Sequence, residues 1–284
     1  MSNSSLVVKD FSFKYQESKR YSLRHISFEA KKGDFVCIIG ENGSGKSTLC
    51  NALVGLIPHH FRGKAHGGVW VNGISNQDRT ISEISCEVGF VFQNPFNQLS
   101  YTADTVAEEL AYGLCNRGVP RDEMVERVKK IARAIHLEDL LDRNPLELSG
   151  GQVQRVALGS TLILDPEILV LDECTTQLDP LGSEEIFDIV KQLNREGMTV
   201  IMVDHDMERV ARCADAVLVL EDGNQVAWGS PLEVFGRDDL EEHGADVPDY
   251  VRITRRLASE GLSAGPVELM EDATVARVKE ALAR

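Results

Sequence analysis

Between Phe35 and Val54 the chain reads as strand, glycine-rich turn and helix, and few folds accept that order. Phe35-Val36-Cys37-Ile38-Ile39 is an unbroken apolar run, as a buried strand requires. Gly40-Glu41-Asn42-Gly43-Ser44-Gly45-Lys46-Ser47-Thr48 follows, and Leu49 to Val54 reads as the first turns of a helix. A phosphate-binding P-loop works in this setting. Gly40, Gly43 and Gly45 allow the backbone to turn its amides towards a phosphate, and the helix start adds its positive dipole end. Lys46 is expected to set an ammonium on the β- and γ-phosphates and Ser47 to ligate Mg²⁺, with Asn42, Ser44 and Thr48 filling the loop. A chain of this length meets the pattern by accident on the order of one time in a hundred, so nucleotide binding is the reading.

Composition narrows the rest. A chain of 284 residues holds one large α/β domain and a small extension. The formal net charge of −15 argues against a nucleic-acid partner held by a basic surface. Met1-Ser2-Asn3-Ser4-Ser5 lacks the charged-then-apolar build of a signal peptide, and no apolar run reaches the roughly 18–20 residues of a membrane helix. The six cysteines (37, 50, 86, 115, 174 and 213) are scattered, which fits reduced thiols better than a disulfide framework or a zinc site. A soluble, cytoplasmic chain is expected.

Leu6 to Tyr15 and the stretch through Leu23, Ile26 and Phe28 read as strands ahead of the P-loop strand, and Tyr15 is placed to offer its ring to an adenine. Gly55 to Gly68 reads as a loop, followed by Val69-Trp70-Val71-Asn72-Gly73 as strand and turn. His59, His60 and His66 in that loop lack companion ligands, so solvated side chains are expected rather than a metal site. Glu87 to Gln93 reads as a strand whose terminal Gln93 can reach Mg²⁺ or an attacking water. From Ala103 to about Asp142 apolar residues recur at helical spacing, which suggests a smaller helical lobe.

That lobe runs into Leu148-Ser149-Gly150-Gly151-Gln152, ahead of a helical pattern through Val153, Val156, Ala157, Ser160 and Leu162. Ser149 and the Gly150 and Gly151 amides at a helix start make a second anion site. The pentapeptide resembles the signature of the ATP-binding-cassette family. The resemblance implies two domains sandwiching two ATPs head to tail, with Ser149, Gly150, Gly151 and Gln152 serving the partner's nucleotide. Ile168 to Leu171 is a buried strand ending in two carboxylates. By the resemblance, Asp172 is similar to the Walker B aspartate that holds Mg²⁺ through water, and Glu173 to the general base for the water that attacks the γ-phosphate. Thr176-Gln177-Leu178-Asp179 resembles the D-loop that crosses the dimer interface. His205, beyond the strand Thr199 to Val203, resembles the switch histidine on the γ-phosphate, and Tyr15 takes the place of the adenine-stacking aromatic. Two positions depart from the family: Cys174 stands where proline is usual, and Asp204 where Thr or Ser is commoner. Asp204 is expected to raise the pKa of His205 by proximity.

Phe92-Gln93-Asn94-Pro95-Phe96-Asn97-Gln98-Leu99 and Thr105 to Leu114 look like the ATPase subunits of energy-coupling-factor transporters, importers of vitamins, their precursors, or nickel and cobalt, although Phe96 replaces a frequently acidic residue. The tail from Gly229 is similar too. The expected fold is therefore an α/β P-loop NTPase core with an antiparallel β subdomain, a helical signature subdomain at about 96–150 and a small C-terminal helical extension. Residues 1–232 would form the nucleotide-binding domain and 233–284 an extension that pairs ATPases. The resemblance implies ATP and Mg²⁺ as cofactors. It also implies a second cassette subunit in a homo- or heterodimer, a multi-span membrane coupling subunit and a substrate-binding membrane subunit. The chain would sit peripherally on the cytoplasmic face of the membrane, with the coupling helices docking beside Gln93 and the helix near Glu108. Another ABC transporter type, or a soluble non-transport cassette ATPase, is the alternative. The latter would usually carry long insertions, a second cassette or basic surfaces.

Overall fold

The computed structural model describes residues 4–175, 178–263 and 265–283. The strands are β1 (Ser4–Tyr15), β2 (Leu23–Lys31), β3 (Phe35–Ile39), β4 (Gly63–Val71), β5 (Ile74–Ser75), β6 (Val88–Val91), β7 (Ile168–Asp172), β8 (Thr199–Val203), β9 (Ala216–Glu221) and β10 (Asn224–Gly229). The helices are α1 (Lys46–Leu53), α2 (Leu56–His59), α3 (Ile81–Ile84), α4 (Val106–Asn116), α5 (Arg121–Ala134), α6 (Gly150–Leu162), α7 (Pro180–Arg195), α8 (Met207–Cys213), α9 (Pro231–Phe235), α10 (Asp249–Ser259) and α11 (Glu271–Leu282).

The strands run in the order β5-β4-β1-β2-β10-β9-β3-β8-β7-β6. From β9 to β6 every neighbour is parallel, whereas β5-β4-β1-β2 is antiparallel, and the two parts meet at the single pairing of Asn224 with Arg24. Side-chain alternation divides the core into two layers. Cys37, Ile39, Leu169, Leu171, Val200 and Met202 face the layer that takes α4 to α8. Val36, Ile38, Ile168, Val170, Ile201 and Val203 face the layer shared with α1 and the antiparallel strands. All of the parallel strands are therefore apolar on both faces, as the continuous runs in the sequence require.

The stretch expected to be a loop from Gly55 to Gly68 is instead a short helix followed by the outer half of β4. Its register against β1 runs from Tyr15 opposite Gly63 to Lys9 opposite Gly68. The glycines that suggested a loop permit close approach. A Cβ on Gly63 would come within 2.3 Å of the Lys14 carbonyl oxygen, and one on Gly67 within 2.2 Å of that of Asp10. Asn72 and Gly73, at φ 49° and 81°, then turn the chain into β5, as an Asn-Gly hairpin does.

The helical lobe holds α4 and α5 against α6. Gly159 lets α6 approach, since a Cβ there would meet Ile135 Cδ1 at 2.3 Å and Leu110 Cδ2 at 2.8 Å. At the other end, Val234, Phe235, Leu240, Ala245, Val247 and Val251 join the same buried cluster as β3 and β9. The division expected between residues 232 and 233 thus falls inside α9, and the first part of the tail packs into the core. Among the described residues no helix is long and apolar enough to cross a membrane.

Candidate active site

The P-loop leaves β3 at Gly40 (φ 140°) and enters α1 through Gly45 (φ 107°). Both need glycine. A Cβ on Gly40 would lie 2.1 Å from the Leu220 carbonyl oxygen, and one on Gly45 2.6 Å from that of Ser22. Gly45 is also the residue before the helix, so no side chain caps the first turn of α1. The amides of Lys46, Ser47 and Thr48 thus point out of the helix start with no partner from their own helix. The loop is braced from outside by the turn between β9 and β10, where the Gly223 amide donates to the Ser44 carbonyl at 3.0 Å.

Lys46 is only 4% exposed, and its ammonium donates to the carbonyls of Gly40 (2.9 Å) and Glu41 (3.0 Å) while lying 3.5 Å from Glu173 Oε1. Glu173 is where the site converges. Gln93 Nε2 donates to its Oε2 at 2.6 Å, and His205 Nε2 lies 2.8 Å from its Oε1. Its backbone has φ 50°, an unusual conformation for a residue with a side chain. Three strands ending at one edge, β6, β7 and β8, supply Gln93, Glu173 and His205, so the parallel register assembles the group.

Asp172, at the tip of β7, is 6% exposed. Burial pushes its carboxyl up from the ordinary value, opposed by a hydrogen bond from the Ser47 hydroxyl and reinforced by the neighbouring Glu173 charge. Its Oδ1 and the Ser44 hydroxyl oxygen are buried and make no hydrogen bond among the described residues. Two orphaned oxygens at a P-loop call for a ligand. The Ser47 hydroxyl and the Asp172 carboxylate it bonds are the hard oxygen donors that suit Mg²⁺, an ion that commonly keeps other positions for water and phosphate. The residues present fit that ion.

Lys46, Ser47, Gln93, Glu173 and His205 line a cleft of about 1000 Å³ together with Asn42, Gly43, Gly45 and Thr48. The cleft is also lined by residues that sequence reasoning missed: Arg20 and Tyr21 from the β1–β2 connection, Arg24 at the start of β2, and Asp222 with Gly223. The only available signal was a short basic segment with a tyrosine, Lys19-Arg20-Tyr21, between two strands. Tyr15 does not line the cleft. Its ring stands edge-on to Phe13 and Phe61, and its hydroxyl lies 3.3 Å from that of Thr48. Tyr15 is thus adjacent to the P-loop helix, while Tyr21 is the aromatic facing the cavity.

The second anion site stands apart. Ser149 precedes α6, its hydroxyl accepts from the Gln152 amide and the Gln152 side chain accepts from the Ser149 amide, a capping box. Gly150 and Gly151 follow it, and none of Ser149 to Gln152 lines the cleft of this chain's own P-loop. Of the segment Thr176 to Asp179, Thr176 and Gln177 lie outside the described residues. Asp179 caps α7, accepting from the Gly182 amide at 2.7 Å. Cys174 is buried in the core, where burial pushes its thiol up to about 12. Asp204 is occupied away from the imidazole it was expected to face: Oδ1 accepts from the amides of His205 and Asp206, and Oδ2 pairs with Arg209. Of the loop histidines, His59 bonds the Asn76 carbonyl at 2.8 Å, and no group of three or more His, Cys, Asp or Glu suited to a metal occurs among the described residues.

Residues 23–176 match the family described as ABC transporter. The energy-coupling factor transporter ATP-binding protein EcfA1 of Bacillus licheniformis is 42% identical over 91% of this chain and 90% of its own length. Among solved structures, CbiO1 from Clostridium perfringens, part of the ABC transporter complex CbiONQ, superposes with a TM-score of 0.74 at 29% identity, over 92% of this chain and 98% of that one. The ATP-binding cassette MJ0796, dimeric and holding ADP and Pi in a post-hydrolysis state, superposes with a TM-score of 0.69 at 28% identity, over 80% of this chain and 98% of its own.

Proposed function

The chain belongs to the ABC transporter family, and we propose that it is the ATP-hydrolysing subunit of an importer of the energy-coupling-factor type. It is an ATPase that binds ATP. The observation that carries the hydrolytic reading is the convergence of Lys46, Gln93 and His205 on Glu173, next to a buried Asp172 with an orphaned oxygen. Similarity to EcfA1 and CbiO1 supports the subtype.

The residues act as follows. The uncapped start of α1 and the turned amides of the P-loop receive the phosphates, and Lys46 exchanges its carbonyl partners for phosphate oxygens. Ser47 and Asp172, with Gln93 beside them, would hold Mg²⁺, which would supply charge neutralisation on the phosphates. Glu173, released from Lys46 by the same exchange, orients and deprotonates the attacking water. His205 turns from Glu173 to the γ-phosphate, and Tyr15 braces Thr48 of the P-loop helix from outside the cleft. Ser149, Gly150, Gly151 and Gln152 lie off the cleft because they serve the ATP of a second cassette subunit, with Asp179 beside that interface. Closure around two ATPs, hydrolysis and reopening form the power stroke.

The stroke is delivered to separate membrane subunits, a multi-span coupling protein and a substrate-binding protein, so the chain works peripherally on the cytoplasmic face. An apolar groove between the helical lobe and the core, lined by Phe90, Phe92, Tyr112 and Leu164, supports docking of a coupling helix there. The outer part of the tail, α10 and α11, is the extension that pairs ATPases, and exposed Ile253, Met270, Val275 and Leu282 supply apolar area for it. No nucleic-acid partner is proposed at a net charge of −15.

Purification of the tagged chain from gently solubilised native membranes, with mass spectrometry of what is retained, tests this role. A multi-span membrane protein together with a small substrate-binding membrane protein is the expected result. Recovery of the chain alone, or with ribosomes or DNA-repair proteins, overturns it.

A further inference from the structure

The hydrolytic steps above make no use of Arg209, yet it is 7% exposed and gathers three segments of the site. Its Nη1 reaches Asp204 Oδ2 at 3.1 Å and Thr175 Oγ1 at 3.4 Å. Its Nη2 reaches the Ser183 hydroxyl at 3.1 Å and Glu184 Oε1 at 3.3 Å in α7, and Asp206 Oδ2 at 3.2 Å. The guanidinium also stacks over the Phe187 ring, 5.1 Å from its centroid. Thr175 is two residues past Glu173, and Asp204 directly precedes His205. Arg209 therefore fastens the segments on both sides of the Glu173–His205 hydrogen bond to one rigid, planar group. The Asp204 carboxylate, which accepts from the His205 amide at 2.7 Å, carries that constraint to the histidine backbone.

We propose that Arg209 is a positioning residue, which through Asp204 and Thr175 sets the geometry at which His205 and Glu173 meet the γ-phosphate. The proposal rests on the reading of Glu173 and His205 as the hydrolytic pair. It also accounts for Asp204 at a position where the family commonly has Thr or Ser, since the acid there is one half of a buried pair. The competing account is charge balance alone, with Arg209 present only to neutralise a buried Asp204. The two differ in outcome. A buried ion pair exchanged for neutral side chains of similar size commonly leaves stability intact. A group that fixes geometry cannot be exchanged so freely, because small displacements at a reacting centre cost about 10²-fold in rate.

The test is steady-state ATP hydrolysis and thermal melting of the purified full chain, with Glu173→Gln alongside. Arg209→Met is expected to lower kcat by about 10- to 100-fold while KM for ATP changes less than about two-fold. The double variant Asp204→Thr/Arg209→Met removes both charges; it is expected to regain the wild-type melting temperature while kcat stays low. Arg209→Lys keeps the charge without the fork, and its kcat is expected to stay low too. Recovery of kcat together with melting temperature in the double variant, or kcat within about two-fold of wild type in Arg209→Lys, overturns the proposal. These two variants decide the matter if Arg209→Met does not fold. Wild-type turnover by Glu173→Gln would overturn the reading of the site itself. Lost turnover there, with full turnover in the Arg209 variants, would overturn the positioning role alone.

Discussion

Two helix starts in this molecule present backbone amides to an anion, and they are built in opposite ways. At α1 the residue before the helix is Gly45, which brings no cap, and the next residue is a buried lysine. At α6 the preceding residue is Ser149, which closes a capping box with Gln152, and the next two residues are glycines, Gly150 exposed and Gly151 half-buried. The first leaves its polar groups to a ligand and surrounds that ligand with Lys46, Asp172 and Glu173. The second satisfies itself and keeps a smooth surface that a phosphate can approach from outside. A permanent site needs charge to hold its nucleotide. On the proposed role, the second closes and opens in each cycle and needs to be stable without it.

The largest effect belongs to the first start. Glu173→Gln keeps the shape of the site and removes only the base, so turnover should fall by about 10³-fold while ATP binding persists and the closed pair accumulates. Hydrolysis measured against ATP affinity and oligomeric state checks this. Lys46→Ala comes next. It removes charge-assisted hydrogen bonds worth about 1.5–3 kcal/mol, so ATP affinity should weaken by about 10- to 100-fold in titration calorimetry. Affinity unchanged in Lys46→Ala would erase the contrast between the two starts.

Much of this contrast is legible in the sequence because each start is written in consecutive residues. Gly40 to Thr48 and Leu148 to Gln152 need only local backbone to work, and the strand Ile168 to Leu171 ends on its own carboxylates. What was not legible depends on partners distant in the chain. The outer half of β4 is a strand because β1 accepts it, and its glycines, weak strand formers, are there for close approach. Tyr21 reaches the cleft through the path of the β1–β2 connection. Asp204 reads as a neighbour of His205 along the chain, but its oxygens turn to amides and to Arg209, and the imidazole turns to Glu173. Adjacency in sequence places backbones together, and side chains choose their partners in space.

Asp172 tests the cost of holding a charge at the first start. Burial raises its pKa above the ordinary 3.8. For a carboxyl whose folded pKa is raised, the stabilising contribution is present below the unfolded pKa and is lost as pH rises through the folded one. Ionised Asp172 therefore destabilises the metal-free fold at neutral pH. In EDTA at pH 7.5, Asp172→Asn should melt higher than wild type, and the gap should narrow as pH falls into the ordinary carboxylate range. The same variant should lose Mg²⁺-dependent hydrolysis. A lower melting temperature for Asp172→Asn would mean that the charge is compensated within the fold, and the first start would then resemble the second in satisfying itself.

Ser149 is where the smallest effect should appear, and it needs two variants to read. Its hydroxyl caps α6, so Ser149→Ala should cost about 1 kcal/mol of stability through the lost cap, whereas Ser149→Gly should cost only about a few tenths. Ser149→Gly thus removes the hydroxyl while leaving the helix start nearly as stable. Because Ser149 does not line its own chain's cleft, the ATP affinity of the dilute, unpaired glycine variant should equal that of wild type. If Ser149 serves a partner's γ-phosphate as proposed, the paired enzyme loses a neutral hydrogen bond of about 0.5–1.5 kcal/mol, and turnover should fall about 2- to 10-fold. Fluorescent-ATP titration at low protein concentration and hydrolysis at high concentration separate the two. Loss of dilute affinity in Ser149→Gly would place the second helix start on the chain's own nucleotide, and the division of labour between the two would collapse.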